Sequence, residues 1–264
     1  MRPTFLLPFA LLLAACAPSS EKPAPLDLAQ FEMVDLTHSY GPDTVYWPTE
    51  TEGFQKRTII EGELADGQFI SAFAFSTPEH AGTHMDAPYH FNRDGAKSDA
   101  VPLARLIAPA VVIDITEKAK ADRDYALTVA DIAAHEASYG KIAPGSIILL
   151  RTGWSARWAD GSAAYLGGDE EADLHFPSYS AEAARFLIEE RGAAALGVDA
   201  ASTDIGPATD FPVHRILGAA NVPGFENLGD LGSLPATGAY LIALPMKIEG
   251  GSGGPLRVVA LVPR

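Results

Sequence analysis

Between residues 76 and 91 the chain reads STPEHAGTHMDAPYHF. Three of its seven histidines, His80, His84 and His90, fall in this stretch with Asp86 among them. In an extended segment alternate side chains share a face, so the even positions gather all three imidazoles and the carboxylate. Gly82 adds no bulk on that face. The odd positions, Ala81, Thr83, Met85, Ala87 and Tyr89, are small or apolar and suit a core. A helix would scatter the set, turning Asp86 about 200° away from His84. Neutral imidazole and carboxylate suit zinc or manganese, whereas calcium and magnesium prefer oxygen shells. A lone histidine would be read as a hydrogen-bonded loop residue. Three on one face with an aspartate point to a metal site.

Other motifs carry less. GxGxxG and GxxxxGK[ST] are absent, and with them the usual nucleotide fingerprints. HAGTH spaces two histidines as in HExxH, but Ala81 stands at the glutamate position and Gly82, Thr83 and Pro88 make a poor helix. GGSGG at 250–254 fits GxSxG formally. A nucleophile elbow needs a strand-turn-helix setting; apolar strand-like runs flank this segment on both sides, so it reads as a hairpin turn.

The elements that must position these residues alternate between strand and helix. GQFISAFAFS, APAVVIDIT, GSIILLRTGW and AAALGVD read as strands. LTVADIAAHEASYG reads as a helix capped by Thr128 and stopped by Gly140, and YSAEAARFLIEERG as one capped by Ser180 and ended by Gly192. GAYLIALPMKI and GPLRVVALV close the chain as two strands joined by EGGSGG. The class is α/β with a mixed sheet, without the regular βα repetition of a barrel or dinucleotide fold.

Acids outnumber bases 34 to 19, for a formal charge of −15. This argues against nucleic acid or an anionic lipid surface as partner. An apolar run after Arg2 ends in LAAC at 13–16, which reads as a secretory signal with a lipoprotein cleavage box. The division is therefore a signal peptide at 1–15, a lipid-anchored Pro/Ser/Ala-rich linker at 16–30 and one domain at 31–264, exported to the cell envelope and facing the periplasm or exterior. Cys16, the only cysteine, would carry the lipid, which leaves no thiol for catalysis or a disulfide in the domain.

HAGTHMDAPYHF resembles the HxGTHxDxPxHF signature of the metal-dependent cyclase-like hydrolases, a family that includes bacterial kynurenine formamidase and isatin hydrolase. VDLTHSYGPDTVYWP, LGVDAASTD, FPVHRILGAANVPGFENL and LPMKIEGGSGGPLRVVAL resemble further segments of it. The resemblance runs from about Val34 to the C-terminus. It implies a swivelling β/β/α fold and a homodimer or homotetramer. It also implies His80, His84, Asp86, His214 and Glu226 as ligands of one or two zinc ions, or of manganese, with His90 off the metal as the proton-transfer residue. An acid at 226 is what the dinuclear formamidase type carries, and an amide the isatin hydrolase type.

The implied reaction is hydrolysis of an aryl amide or lactam C–N bond, arylformamidase-like, with an isatin hydrolase-like lactam reaction as the alternative. Trp47, Tyr89, Phe91 and Phe225 are candidates for an aromatic pocket or for the core. Asp199 and Asp204 are expected to organise a loop, His38 either to support the metal ligands from behind or merely to be hydrogen-bonded, and His135 and His175 to lie on the surface. The competing class is a non-catalytic metal-binding envelope lipoprotein; the absence of a His-rich tract argues against it.

Overall fold

The computed structural model describes residues 27–264. The segment read as a signal peptide, Cys16 and most of the stretch read as a linker lie outside the described residues. An eight-stranded mixed sheet dominates. Its strands are β1 (Phe31–Asp35), β4 (His84–Asp86), β5 (Ile107–Asp114), β7 (Ile147–Arg151), β9 (Ala195–Val198), β10 (Gly224–Glu226), β11 (Tyr240–Pro245) and β12 (Gly253–Pro263). Between β1 and β4 lies a separate hairpin of β2 (Gln55–Glu63) and β3 (Phe69–Ser76), and β6 (Ala126–Leu127) pairs with β8 (Ser178–Tyr179). The helices are α1 (Thr116–Ala121), α2 (Val129–Tyr139), α3 (Ser162–Leu166), α4 (Ala181–Glu189) and α5 (Pro212–Ala219).

The order β1-β12-β11-β5-β7-β9-β10-β4 closes on itself because Gly253–Pro255 of β12 also pair with β4. β5, β7, β9 and β10 run parallel, which requires crossovers; α2, α4 and α5 lie in them. A closed sheet leaves few unpaired edges.

β7 shows why the run IILLR forms here. Ile148 and Leu150 join one buried cluster with Ile132 of α2, Leu187 of α4 and Val213 and Leu217 of α5. Ile147 and Leu149 join a second cluster inside the barrel with Met85, Phe225, Leu241 and Val258. Both faces of the strand are covered, so its sequence is continuously apolar rather than alternating.

The two long helices start where their caps lie. Thr128 and Asp131 form a reciprocal capping box on α2, and Ser180 accepts from the Ala183 amide on α4. α4 stops at Glu189, with Gly192 (φ 64°) in the turn that follows. β3 forms where alternating phenylalanines suggest a strand, but Phe69, Phe73 and Phe75 stay exposed on the projecting hairpin. Among the described residues no helix is long and apolar enough to cross a membrane.

Candidate metal centre

β4 pairs antiparallel with β10 so that His84 stands directly opposite Glu226. Side chains so paired project from the same face, with Cβ atoms about 5 Å apart. This register joins two segments more than a hundred residues apart. Only His84–Asp86 are strand, however. His80 precedes a turn at Gly82 (φ 54°), and His90 closes a short 3-10 turn, Pro88–His90. The four residues do converge, but a turn on each side of β4 brings them together rather than one extended segment. The Tyr40 hydroxyl supports the first turn, lying 2.5 and 2.8 Å from the carbonyls of Ala81 and Thr83. A Cβ on Gly82 would sit 2.9 Å from the Tyr40 ring, and the left-handed φ there also favours glycine.

His214 arrives on α5. Pro212 occupies the first turn, as its fixed φ favours. The cap is remote: the Asp204 carboxylate accepts from the backbone amides of Val213 (2.8 Å) and His214 (3.1 Å). The same carboxylate takes the Nδ1 proton of the His214 ring at 2.6 Å. Asp204 therefore sets both the helix start and the direction of the imidazole.

The ring nitrogens and carboxylates meet at short range. Asp86 Oδ1 lies 2.6 Å from His80 Nδ1 and 3.2 Å from His84 Nε2, and Asp86 Oδ2 lies 3.0 Å from His214 Nε2. Glu226 places Oε1 3.2 Å from His214 Nε2 and Oε2 3.6 Å from His84 Nε2. The Thr203 amide donates to Glu226 Oε1 at 2.7 Å and holds it. His84, Asp86, His214 and Glu226 are all buried.

The outward hydrogen bonds decide the tautomers. His84 Nδ1 faces the Gly82 carbonyl at 2.9 Å, and a carbonyl can only accept. His84 Nδ1 therefore carries a proton, and when the ring is neutral its Nε2 lone pair turns toward Asp86 and Glu226. His214 is fixed in the same sense by Asp204. Lone pairs thus point at carboxylate oxygens around one centre, an arrangement that needs positive charge in the middle. Burial alone would lower the pKa of His84, but the Asp86 and Glu226 carboxylates outweigh it and raise it to about 8. Burial is likewise outweighed at His214, which Asp204, Asp86 and Glu226 raise well above the ordinary histidine range. Burial would raise Asp86, but His84, His214 and His80 hold it well below the carboxylate range. A divalent cation supplies the same charge, and this mixed nitrogen and oxygen donor set suits zinc or manganese. The residues fit a metal.

His90 stacks on His80 at 3.8 Å and 20°, on the cavity side. His90 keeps exposed surface toward the cavity, yet desolvation by its crowded surroundings and the neighbouring imidazoles push its pKa down to about 4 against the pull of Asp86. Above the centre lies a cavity of about 300 Å³ walled by Tyr46, Trp47, Phe91, Leu166 and Phe211. Phe211 lies 6.0 Å from Trp47 and 5.5 Å from Phe91, ring centre to ring centre. Glu171, from the stretch after α3, accepts the Trp47 indole proton at 3.3 Å.

Residues 34–205 match the cyclase family model, whose description is "Putative cyclase". The chain belongs to that family. It is 37% identical over 249 residues to an isatin hydrolase of Roseibium aggregatum, covering 89% of this chain and 93% of that one. It is 30% identical to a kynurenine formamidase of Salinibacter ruber, covering 86% and 96%. Among solved structures, an isatin hydrolase bound to the product analogue thioisatinate superposes with a TM-score of 0.82 at 37% identity, over 89% and 94% of the two chains. The mixed sheet and closed barrel described above are the fold of these relatives.

All five residues that the family resemblance marks as ligands meet at this centre, with His90 beside them. Of the four aromatic candidates, Trp47 and Phe91 line the cavity. Phe225 is fully buried in the barrel core, and Tyr89 lies outside the cavity with Lys97 Nζ 4.9 Å from its ring centre. Asp199 organises a loop, accepting from the Thr152 amide and hydroxyl and the Gly153 amide. His38 stacks flat on Trp158 at 3.9 Å.

Two surface expectations are corrected. His135 is buried, because it lies three residues from Ile132 on the inner face of α2. His175 is half-buried, with Nδ1 2.7 Å from Asp124 Oδ2 and its backbone packed against Gly167 and Gly206. The sequence reading missed Tyr46, Leu166 and Phe211 in the cavity wall. It also missed Glu79 and Ser252, which hydrogen-bond around His80. One signal was available: GGSGG holds more glycines than a hairpin turn requires.

Proposed function

We propose that this chain is a hydrolase of an aromatic lactam or aryl amide C–N bond. His80, His84, Asp86, His214 and Glu226 would hold one or two zinc ions, or manganese, and His90 would move protons. The observation that carries the reading is the convergence of the His80, His84 and His214 rings on two buried carboxylates beneath an aromatic cavity. A metal-storage protein would not need the aromatic cavity above the centre.

When bound, the metal supplies Lewis acidity toward the carbonyl oxygen and an acidified water. The chain does the rest. Trp47, Phe91 and Phe211 receive a flat ring and exclude water around the scissile bond. His90 is neutral at pH 7, so it can accept a proton as water adds and return it to the departing nitrogen. The C–N bond breaks, and the products are a carboxylate and an amine, joined in one molecule when the substrate is a lactam.

Between the two substrate types, the higher identity to an isatin hydrolase favours the lactam. Glu226 favours the formamide, since an acid there suits a second cation. Metal analysis of the purified protein, with a panel of isatin, N-formylkynurenine and simple lactams, tests the reading. Bound zinc or manganese with turnover of isatin is expected; a protein with metal and no turnover of any of them would overturn it.

The proposal extends to assembly and location. The exposed apolar side chains of the β2–β3 hairpin, Ile59, Phe69 and Phe75 among them, support a contact with a second copy. The LAAC segment supports export and lipid attachment at Cys16, testable by mass spectrometry of the mature N-terminus.

A further inference from the structure

We infer that Glu79 and Ser252 are positioning residues that fix the His80 ring for metal binding, an inference that rests on the metal-centre reading above. The Ser252 hydroxyl lies 2.8 Å from His80 Nε2 and 2.7 Å from Glu79 Oε2, and the Ser252 amide donates to the same Glu79 oxygen at 2.8 Å. A carboxylate can only accept, so the serine proton points to Glu79. The serine oxygen then accepts from His80 Nε2–H. That leaves the His80 lone pair on Nδ1, the nitrogen 2.6 Å from Asp86 Oδ1. His80 is thereby given the inward lone pair that Gly82 gives His84 and Asp204 gives His214.

The glycines flanking Ser252 belong to the same device. A Cβ on Gly251 would lie 2.7 Å from Glu79 Oε1, and a Cβ on Gly253 would lie 2.6 Å from His80 Cε1. The loop reaches Glu79 and His80 only because neither position carries a side chain. Ser252, His80 and Asp86 also line up in the order of a Ser–His–Asp triad, and GGSGG formally fits GxSxG. Three features assign a holding role to the serine instead. Its proton is committed to Glu79, it sits in a turn between two strands rather than at a strand-to-helix elbow, and it does not line the cavity.

The test is zinc affinity by chelator competition on the full domain, with activity measured separately at saturating zinc. Ser252→Ala and Glu79→Ala should each bind zinc about 10- to 100-fold more weakly. Ser252→Thr, which keeps the hydroxyl, should restore binding. At saturating zinc, Ser252→Ala should recover most of its turnover. Unchanged zinc affinity in both alanine variants would overturn the inference. So would complete loss of turnover in zinc-saturated Ser252→Ala, or labelling of Ser252 by a fluorophosphonate, either of which would make it a nucleophile. His84→Ala is the control: if it also keeps its zinc, the metal centre itself is wrong, whereas if it alone loses zinc, only the role of Glu79 and Ser252 fails.

Discussion

Asp204→Asn isolates the link between helix start and metal centre. The asparagine carbonyl can still accept from the Val213 amide. Its NH2 group must then replace Oδ2, which now accepts from the His214 amide at 3.1 Å and from His214 Nδ1 at 2.6 Å. Donor would face donor, so the imidazole must change tautomer. The Nε2 proton would then point at Asp86 Oδ2 and Glu226 Oε1, 3.0 and 3.2 Å away, where a ligand needs a lone pair. A charge-assisted hydrogen bond to a buried partner is worth about 1.5–3 kcal/mol, which converts to roughly 10- to 150-fold in dissociation constant. Partial loss of the cap adds about 1 kcal/mol of instability. Chelator competition measures the first effect and a thermal melt of the metal-free protein the second. If Asp204→Asn bound zinc as tightly as the parent, the tautomer argument for His214 would be wrong.

Three further outcomes are expected. His90→Ala should keep its metal content and lose turnover by about 10²- to 10⁴-fold, checked by metal analysis beside steady-state kinetics. Burial lowers the pKa of His38 from 6.5 to about 4. Its neutral ring therefore contributes stability in full above pH 6.5, and the contribution is lost as pH falls toward 4, by up to about 3 kcal/mol. Denaturation of His38→Phe against the parent across that range should show a shallower acid-side slope in the variant. Replacing Ile59 and Phe69 with lysine should shift light-scattering mass to that of a monomer with the fold intact; an unchanged mass would remove the hairpin from the assembly contact.

What the sequence reveals about this protein divides by the range of the interactions involved. The caps at Thr128 and Ser180 are local, and α2 and α4 begin where they predict. The grouping of His80, His84, Asp86 and His90 is visible because ligand types recur within a few residues. Its cause was misjudged, since Gly82 and the 3-10 turn do what extended alternation was expected to do. The meeting of His84 with Glu226 depends on the β4–β10 register, a non-local pairing that spacing cannot supply; the family resemblance supplied it. Ser252 was hidden for the same reason, since its partners lie more than 170 residues away. The β3 phenylalanines show the opposite error: alternation marks one apolar face without saying what covers it. His135 was legible after all, from its spacing to Ile132.

The central claim is that a cation held by His80, His84, Asp86, His214 and Glu226 drives hydrolysis in the cavity beside His90. The most direct measurement is isatin turnover by one preparation that is stripped of metal by chelation, then reloaded with zinc or manganese. Stripping should abolish turnover, reloading should restore it, and His84→Ala should show no recovery. Full turnover by the stripped protein would contradict that claim.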